Sequence, residues 1–225
     1  MEDEWAFFKA VDNGKTDSVK AFLDNGIDAN IKDSYGNTAL IFAAWHGYIE
    51  IMKMLINAGT DVDAKDEDGW TALMEAARYG HTEAARLLID AGADVNAKKV
   101  NNWTALMTAA KQGYTETARL LIKAGADINT KNKAGETALM LAALNECAET
   151  LEMLINAGAD IDAKNWYGGT ALSYAAWNGY AKATDVLISA GADVNTRGSY
   201  GTPLMLAKRN GYAEIAKALT KAGAR

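Results

Sequence analysis

The sequence predicts an all-α repeat solenoid, in which antiparallel helix pairs stack along one axis and hairpin-like loops project from one edge. Three observations predict it. Thr38, Thr71, Thr104, Thr137 and Thr170 lie 33 positions apart, each followed by Ala-Leu, and Thr202-Pro203-Leu204 follows one position early. Twenty-one positions after each of those five Thr stands a Gly (Gly59, Gly92, Gly125, Gly158, Gly191), with Asp two further on. Between these markers, apolar residues recur at helical spacing in two short runs. Such a period marks supersecondary units that bury their apolar faces only against their neighbours, so function is sought where the copies differ.

The copy at 66–98 shows each element in order. Thr71 stands where an N-cap hydroxyl is useful, just before the first apolar run. Leu73, Ala76 and Ala77 share one face by i, i+3, i+4 spacing, and Ala84, Leu87 and Leu88 repeat that spacing in the second run. Gly80 separates the runs and supplies the positive φ that ends a helix cheaply. The small Ala pair lets the first helix approach its neighbour closely, while Leu87, Leu88 and Ile89 fill the layer behind it. Ala93 to Lys99 is rich in turn formers and too short for a third helix, so it projects as an extended loop.

Helix, turn, antiparallel helix and projecting loop in 33 residues resembles the ankyrin repeat. The resemblance rests on Thr-Ala-Leu in place of the family's usual Thr-Pro-Leu-His, on Ala-Ala-x-x-Gly and on Ala-Gly-Ala-Asp-Val-Asn, and it covers essentially the whole chain. Five full copies occupy 33–65, 66–98, 99–131, 132–164 and 165–197. A degenerate copy at 1–32, with Trp5-Ala6-Phe7 in place of Thr-Ala-Leu, and a shortened one at 198–225 serve as caps, and the whole is one domain. Two copies break the pattern. Lys99 and Asn102 replace the usual Asp or Asn and the Gly of the tip, and Asn tolerates the left-handed region well enough for that turn to survive. Glu146, followed by Cys147, replaces the inter-helix Gly, which predicts a strained or shifted turn.

Composition narrows the function. A net charge of −6 lacks the basic stripe that nonspecific nucleic-acid binding requires. A single Cys147 forms no internal disulfide and favours a reducing compartment. The acidic start lacks a secretory pattern, and no apolar run approaches the ~20 residues of a membrane span. A cytoplasmic monomer is the expectation, without membrane or nucleic-acid partners.

In ankyrin-repeat proteins, as the resemblance implies, partners bind the concave face of loop tips and inner helices, just before the Thr and just before the inter-helix Gly. Those positions hold Tyr35, Trp45 and His46 in the second copy, then Trp70, Arg78 and Tyr79, then Trp103, Lys111 and Gln112. Further along come Trp166, Tyr167 and Trp177, and Tyr200 in the last copy. Five of six Trp residues fall there, all predicted to be exposed, and Trp70 and Trp103 share one slot in adjacent copies. Since Ala, Leu, Ile and Met already supply the core, this bias points to a binding surface, where Trp, Tyr and Arg dominate affinity. The alternative role for a tip aromatic is to pack on the next hairpin and stiffen the array.

Other candidates have blander explanations. Met74, Met107, Met140 and Met205 recur at one slot as core or groove-floor packing. Tyr48, Tyr114, Tyr180 and Tyr212 follow inter-helix glycines and cover the helix turn. The loop Asp and Asn residues repeat singly down the array, which suits turns rather than calcium. His46 and His81 are the only histidines, and no nucleophile–base–orienter set, phosphate loop or zinc spacing emerges. The expectation is a non-enzyme with no cofactor or metal: a scaffold binding a protein or peptide partner. A methyl-lysine reader, with a Trp cage near Glu67, Asp68 or Glu136, is the first alternative. A purely structural or engineered scaffold is the second.

Overall fold

The computed structural model describes residues 2–225, and these form fourteen α-helices and one short 3-10 turn. The helices come in pairs: α1 (Glu2–Asp12) and α2 (Thr16–Asp24); α3 (Ala39–His46) and α4 (Ile49–Asn57); α5 (Ala72–Tyr79) and α6 (Thr82–Asp90). Then follow α7 (Ala105–Gln112) and α8 (Thr115–Lys123); α9 (Ala138–Leu144) and α10 (Ala148–Asn156); α11 (Ala171–Asn178) and α12 (Ala181–Ser189); α13 (Pro203–Arg209) and α14 (Ala213–Lys221). Odd-numbered helices pack on one another as an inner row and even-numbered helices as an outer row.

The repeated residues explain the repeated geometry. Each inner helix after α1 begins at its Thr, whose hydroxyl accepts a hydrogen bond from the backbone N–H three residues on, as Thr71 does from Met74 at 3.3 Å. That bond satisfies one of the donors a helix start leaves open. Gly80 closes α5 at φ +70°, and the Tyr114 ring of the next repeat lies so close that a Cβ on Gly80 would stand 2.5 Å from it. Tyr48 and Tyr212 lie over Gly14 and Gly179 in the same way, and His81 and Cys147 take this role over Gly47 and Gly113. The turn each of these side chains covers is therefore that of the preceding repeat.

The core runs the length of the array. Leu40, Leu73, Leu106, Leu139 and Leu172 are buried, as are the paired alanines and Met74, Met107 and Met140. Met205 departs from the packing expected at its slot: on α13, the last inner helix of the described residues, it is exposed. Loop Asp and Asn side chains stitch neighbours together: Asn30, Asp63, Asn96, Asn129 and Asp162 each accept from a backbone N–H one repeat on, at 2.7–2.9 Å. Backbone bonds such as Glu67 N–H to Tyr35 O and Val100 N–H to Asp68 O link successive tips. The row of loop acids is thus spent on structure.

Both irregular copies keep their register. Asn101 and Asn102 adopt φ of +71° and +59° inside the 3-10 turn Val100–Asn102, so the tip survives on two left-handed Asn residues. Glu146 sits at φ +59°, and the Cys147 N–H still bonds to Ala142 O at 3.1 Å, as Tyr114 does to Ala109. The fifth copy's turn is therefore strained but not shifted. Glu146→Gly is expected to raise stability by about 1 kcal/mol, since the left-handed region costs a residue with a Cβ roughly 1–2 kcal/mol. A higher urea midpoint at unchanged slope is the expected reading.

Candidate partner-binding surface

Tips and inner-helix ends bring the variable residues together in two groups. The first spans the second to fourth repeats. Trp45 stacks on Phe42, His46 and Tyr79, with ring centroids 6.3, 5.7 and 6.0 Å apart. His46 also stacks on Tyr48 and meets Asp12 Oδ1 at 2.9 Å, while the His81 ring meets Trp45 O at 3.0 Å. These contacts fix Trp45 while leaving it 42% exposed. Gln112 is exposed beside Lys111, and Tyr35 is exposed on the first tip.

Trp70 and Trp103 do not have the exposure predicted for them. Both are half-buried against the core, and the Trp103 indole N–H donates to Thr108 Oγ1 at 2.9 Å. What lies on their faces is cationic. Arg78 and Lys99 stand 5.0 and 4.4 Å from the Trp70 ring centroid, and Lys111 stands 5.5 Å from that of Trp103. Arg78 also lies over Tyr79 at 5.4 Å. Each ring quadrupole attracts the cation and supports its stem.

Glu75 lies behind Arg78 and is only 6% exposed. Its Oε1 is 3.6 Å from Arg78 Nη1, and its buried Oε2 has no protein hydrogen-bond partner. Burial pushes its carboxyl above the ordinary carboxylate value of about 4.5, with Arg78 acting in the opposite sense. The folded state therefore holds the Glu75 proton to higher pH than the unfolded chain. Its contribution is fully favourable below about pH 4.5 and is lost as pH rises through the raised value. Leu141 and Leu206 occupy the same slot in other repeats. Glu75→Leu is thus expected to stabilise the protein by about 1–3 kcal/mol at neutral pH, the cost of an unsatisfied buried group. The gain should shrink as pH falls toward 4.5, which thermal melts across pH would show.

The second group spans the fifth to seventh repeats. Tyr200 packs between Tyr167 and Trp177, with centroids 6.3 and 6.2 Å away. With Leu144, Tyr174 and Leu206 they line an apolar cleft of about 470 Å³. At its base the Tyr174 hydroxyl donates to Glu136 Oε1 at 2.7 Å and accepts from Asn165 Nδ2 at 3.0 Å. Burial first, then Glu136, pushes the Tyr174 hydroxyl up to about 12, so it stays a proton donor. Trp166 is not among the lining residues; its indole N–H donates to Lys133 O at 2.8 Å and its ring remains exposed.

Sequence reasoning missed Tyr174 and Leu206 in the cleft, although they occupy the slot that Phe42, Glu75, Thr108 and Leu141 vary. It also passed over Lys99 as a surface residue. Cys147 is a packing group: burial and then Glu146 push its thiol up, away from the reactive thiolate. Among the described residues, no three His, Cys, Asp or Glu side chains gather as a metal site, and no helix is long and apolar enough to cross a membrane.

Comparison with known proteins places this geometry. A family model of ankyrin repeats, three copies long, matches residues 2–66, 58–132, 125–198 and 167–225. Among solved structures, the chain is similar to the crystal structure of the human ASB11 ankyrin repeat domain, with a TM-score of 0.88, 22% identity and 96% of each chain covered. At that identity the likeness speaks for the fold. No curated protein matches the chain in sequence.

Proposed function

The chain belongs to the ankyrin-repeat family, and from that premise we propose that it is a non-catalytic scaffold whose aromatic concave face grips a polypeptide partner. Ankyrin repeats serve generally as protein-interaction modules. The observation that carries the finer reading is the cleft beneath Tyr167, Trp177 and Tyr200: three exposed aromatics converge on an apolar hollow that the core does not require. Large rigid side chains around a desolvated hollow are the form binding hot spots take. Trp45, Tyr79 and the cation-covered Trp70 and Trp103 extend the surface toward the N-terminal repeats. Occupancy alone then inhibits, recruits or sequesters the partner.

A Trp cage for methylated lysine fits less well. Arg78 and Lys99 already lie on Trp70, and Lys111 on Trp103, so an arriving cation meets like charge. Affinity capture from the source lysate, with Trp177→Ala/Tyr200→Ala alongside the wild type, tests the reading. A protein held by the wild type and lost by the folded variant is the expected result. Identical profiles would move the site off this face.

A further inference from the structure

Resting on that reading, we propose that the centre of the concave face, where Lys99, Arg78 and Lys111 stand on Trp70 and Trp103, recognises acidic side chains on an extended segment of the partner.

The argument begins at Lys99. In four other repeats its slot holds Asp33, Asp66, Asn132 or Asn165, whose Oδ1 accepts backbone N–H bonds from the tip: Tyr35 and Asn37, Trp70, Ala134 and Glu136, Tyr167 and Gly169. A lysine has no acceptor to offer. At Lys99 the tip turns instead through two left-handed Asn residues. That acceptor is missing at this tip and at Gly198 in the last repeat, but only here does a charge stand in its place, an ammonium 4.4 Å from the Trp70 ring.

The neighbouring cation is only weakly partnered. Arg78, across the same ring, has only Glu75 at 3.6 Å, beyond hydrogen-bond reach. On the outer row, Lys53 and Arg119 reach exposed glutamates one turn away within hydrogen-bond distance, at 2.8 and 3.3 Å. Lys99 and Lys111 form no ion pair among the described residues. Lys111 occupies the Arg78 slot one repeat on, so the cations continue across two repeats. Indole faces hold the stems and leave N–H donors for carboxylates, which the planar Arg78 fork can take in bidentate fashion. On a chain of net charge −6, such a local patch selects a register rather than any anion. Exposed Glu67 and Asp68 on the tip of the third repeat bound it, favouring acidic residues placed to meet the cations over uniform negative charge.

Selection of a displayed random-peptide library on the whole chain, followed by affinity measurement with variants, tests this. Selected peptides are expected to carry Asp or Glu and to weaken as salt rises. Lys99→Asn restores the side-chain type of the other tips, so its melting temperature should equal or exceed the wild type's, while the peptides bind about tenfold more weakly, the loss of one charge-assisted bond. Arg78→Gln should weaken them similarly and decides the matter if Lys99→Asn melts lower. Neutral or basic peptides that ignore both substitutions but are lost on Trp177→Ala/Tyr200→Ala would overturn the acidic partner and leave the scaffold reading standing. Failure to select any peptide would count against both.

Discussion

Leu106→Ala lowers the unfolding free energy by about 2–5 kcal/mol, the range for truncating a buried Leu whose surroundings close only in part. Leu106 is 1% exposed in α7, the middle of the inner row, with α5 on one side and α9 on the other. A solenoid has no remote contacts to share the loss, so both interfaces of the central repeat weaken together. The chemically identical Leu204→Ala, in α13 at the end of the row, removes one interface only and should cost less. Urea unfolding followed by circular dichroism tests both. The central variant should unfold with a broadened or two-step transition, because the weakened repeat uncouples the halves. Equal losses at both positions would mean that stability is not passed from neighbour to neighbour.

Trp177→Ala/Tyr200→Ala removes several kcal/mol of partner affinity, since single hot spots contribute about 2 kcal/mol or more. Folding should change little. Trp177 is 42% and Tyr200 59% exposed, and neither belongs to the buried core. The same reasoning disqualifies Trp70→Ala/Trp103→Ala as a clean test of binding. Those rings pack against the core, and Trp103 donates to Thr108, so their removal lowers stability as well. A melting temperature within a few degrees of wild type, with binding lost, is the expected outcome for the cleft pair. Binding retained would reduce the aromatic cleft to packing between tips.

The fold was legible because the period is a direct record of packing. Thr71 caps, Gly80 turns and Leu73 fills the core in every copy that keeps them, so spacing alone located each helix. Glu146 was legible as strain but not in its outcome, because whether a turn shifts depends on the Ala142 carbonyl staying within reach. The concave face was half legible. Variability marked Trp45, Trp177 and Tyr200, but it could not separate an exposed indole from one pressed against the core, as at Trp70 and Trp103. That difference depends on where neighbouring side chains lie, and Lys99, four positions before Trp103, lies instead on the ring of the preceding repeat. Leu206 was hidden for a related reason: it reads as ordinary core at helical spacing, and only the stacking of repeats brings it to the wall of a cleft.

The central claim is that the aromatic concave face is where a polypeptide sits. Hydroxyl-radical footprinting of the chain, alone and with the captured partner, tests it most directly, because oxidation reports exposed aromatic side chains one by one. Trp45, Trp177, Tyr167 and Tyr200 should lose reactivity in the complex, while the exposed Tyr114 and Tyr212 at the helix turns stay unchanged. Protection of Tyr114 and Tyr212 with the cleft aromatics still reactive would contradict the account and place the partner elsewhere on the solenoid.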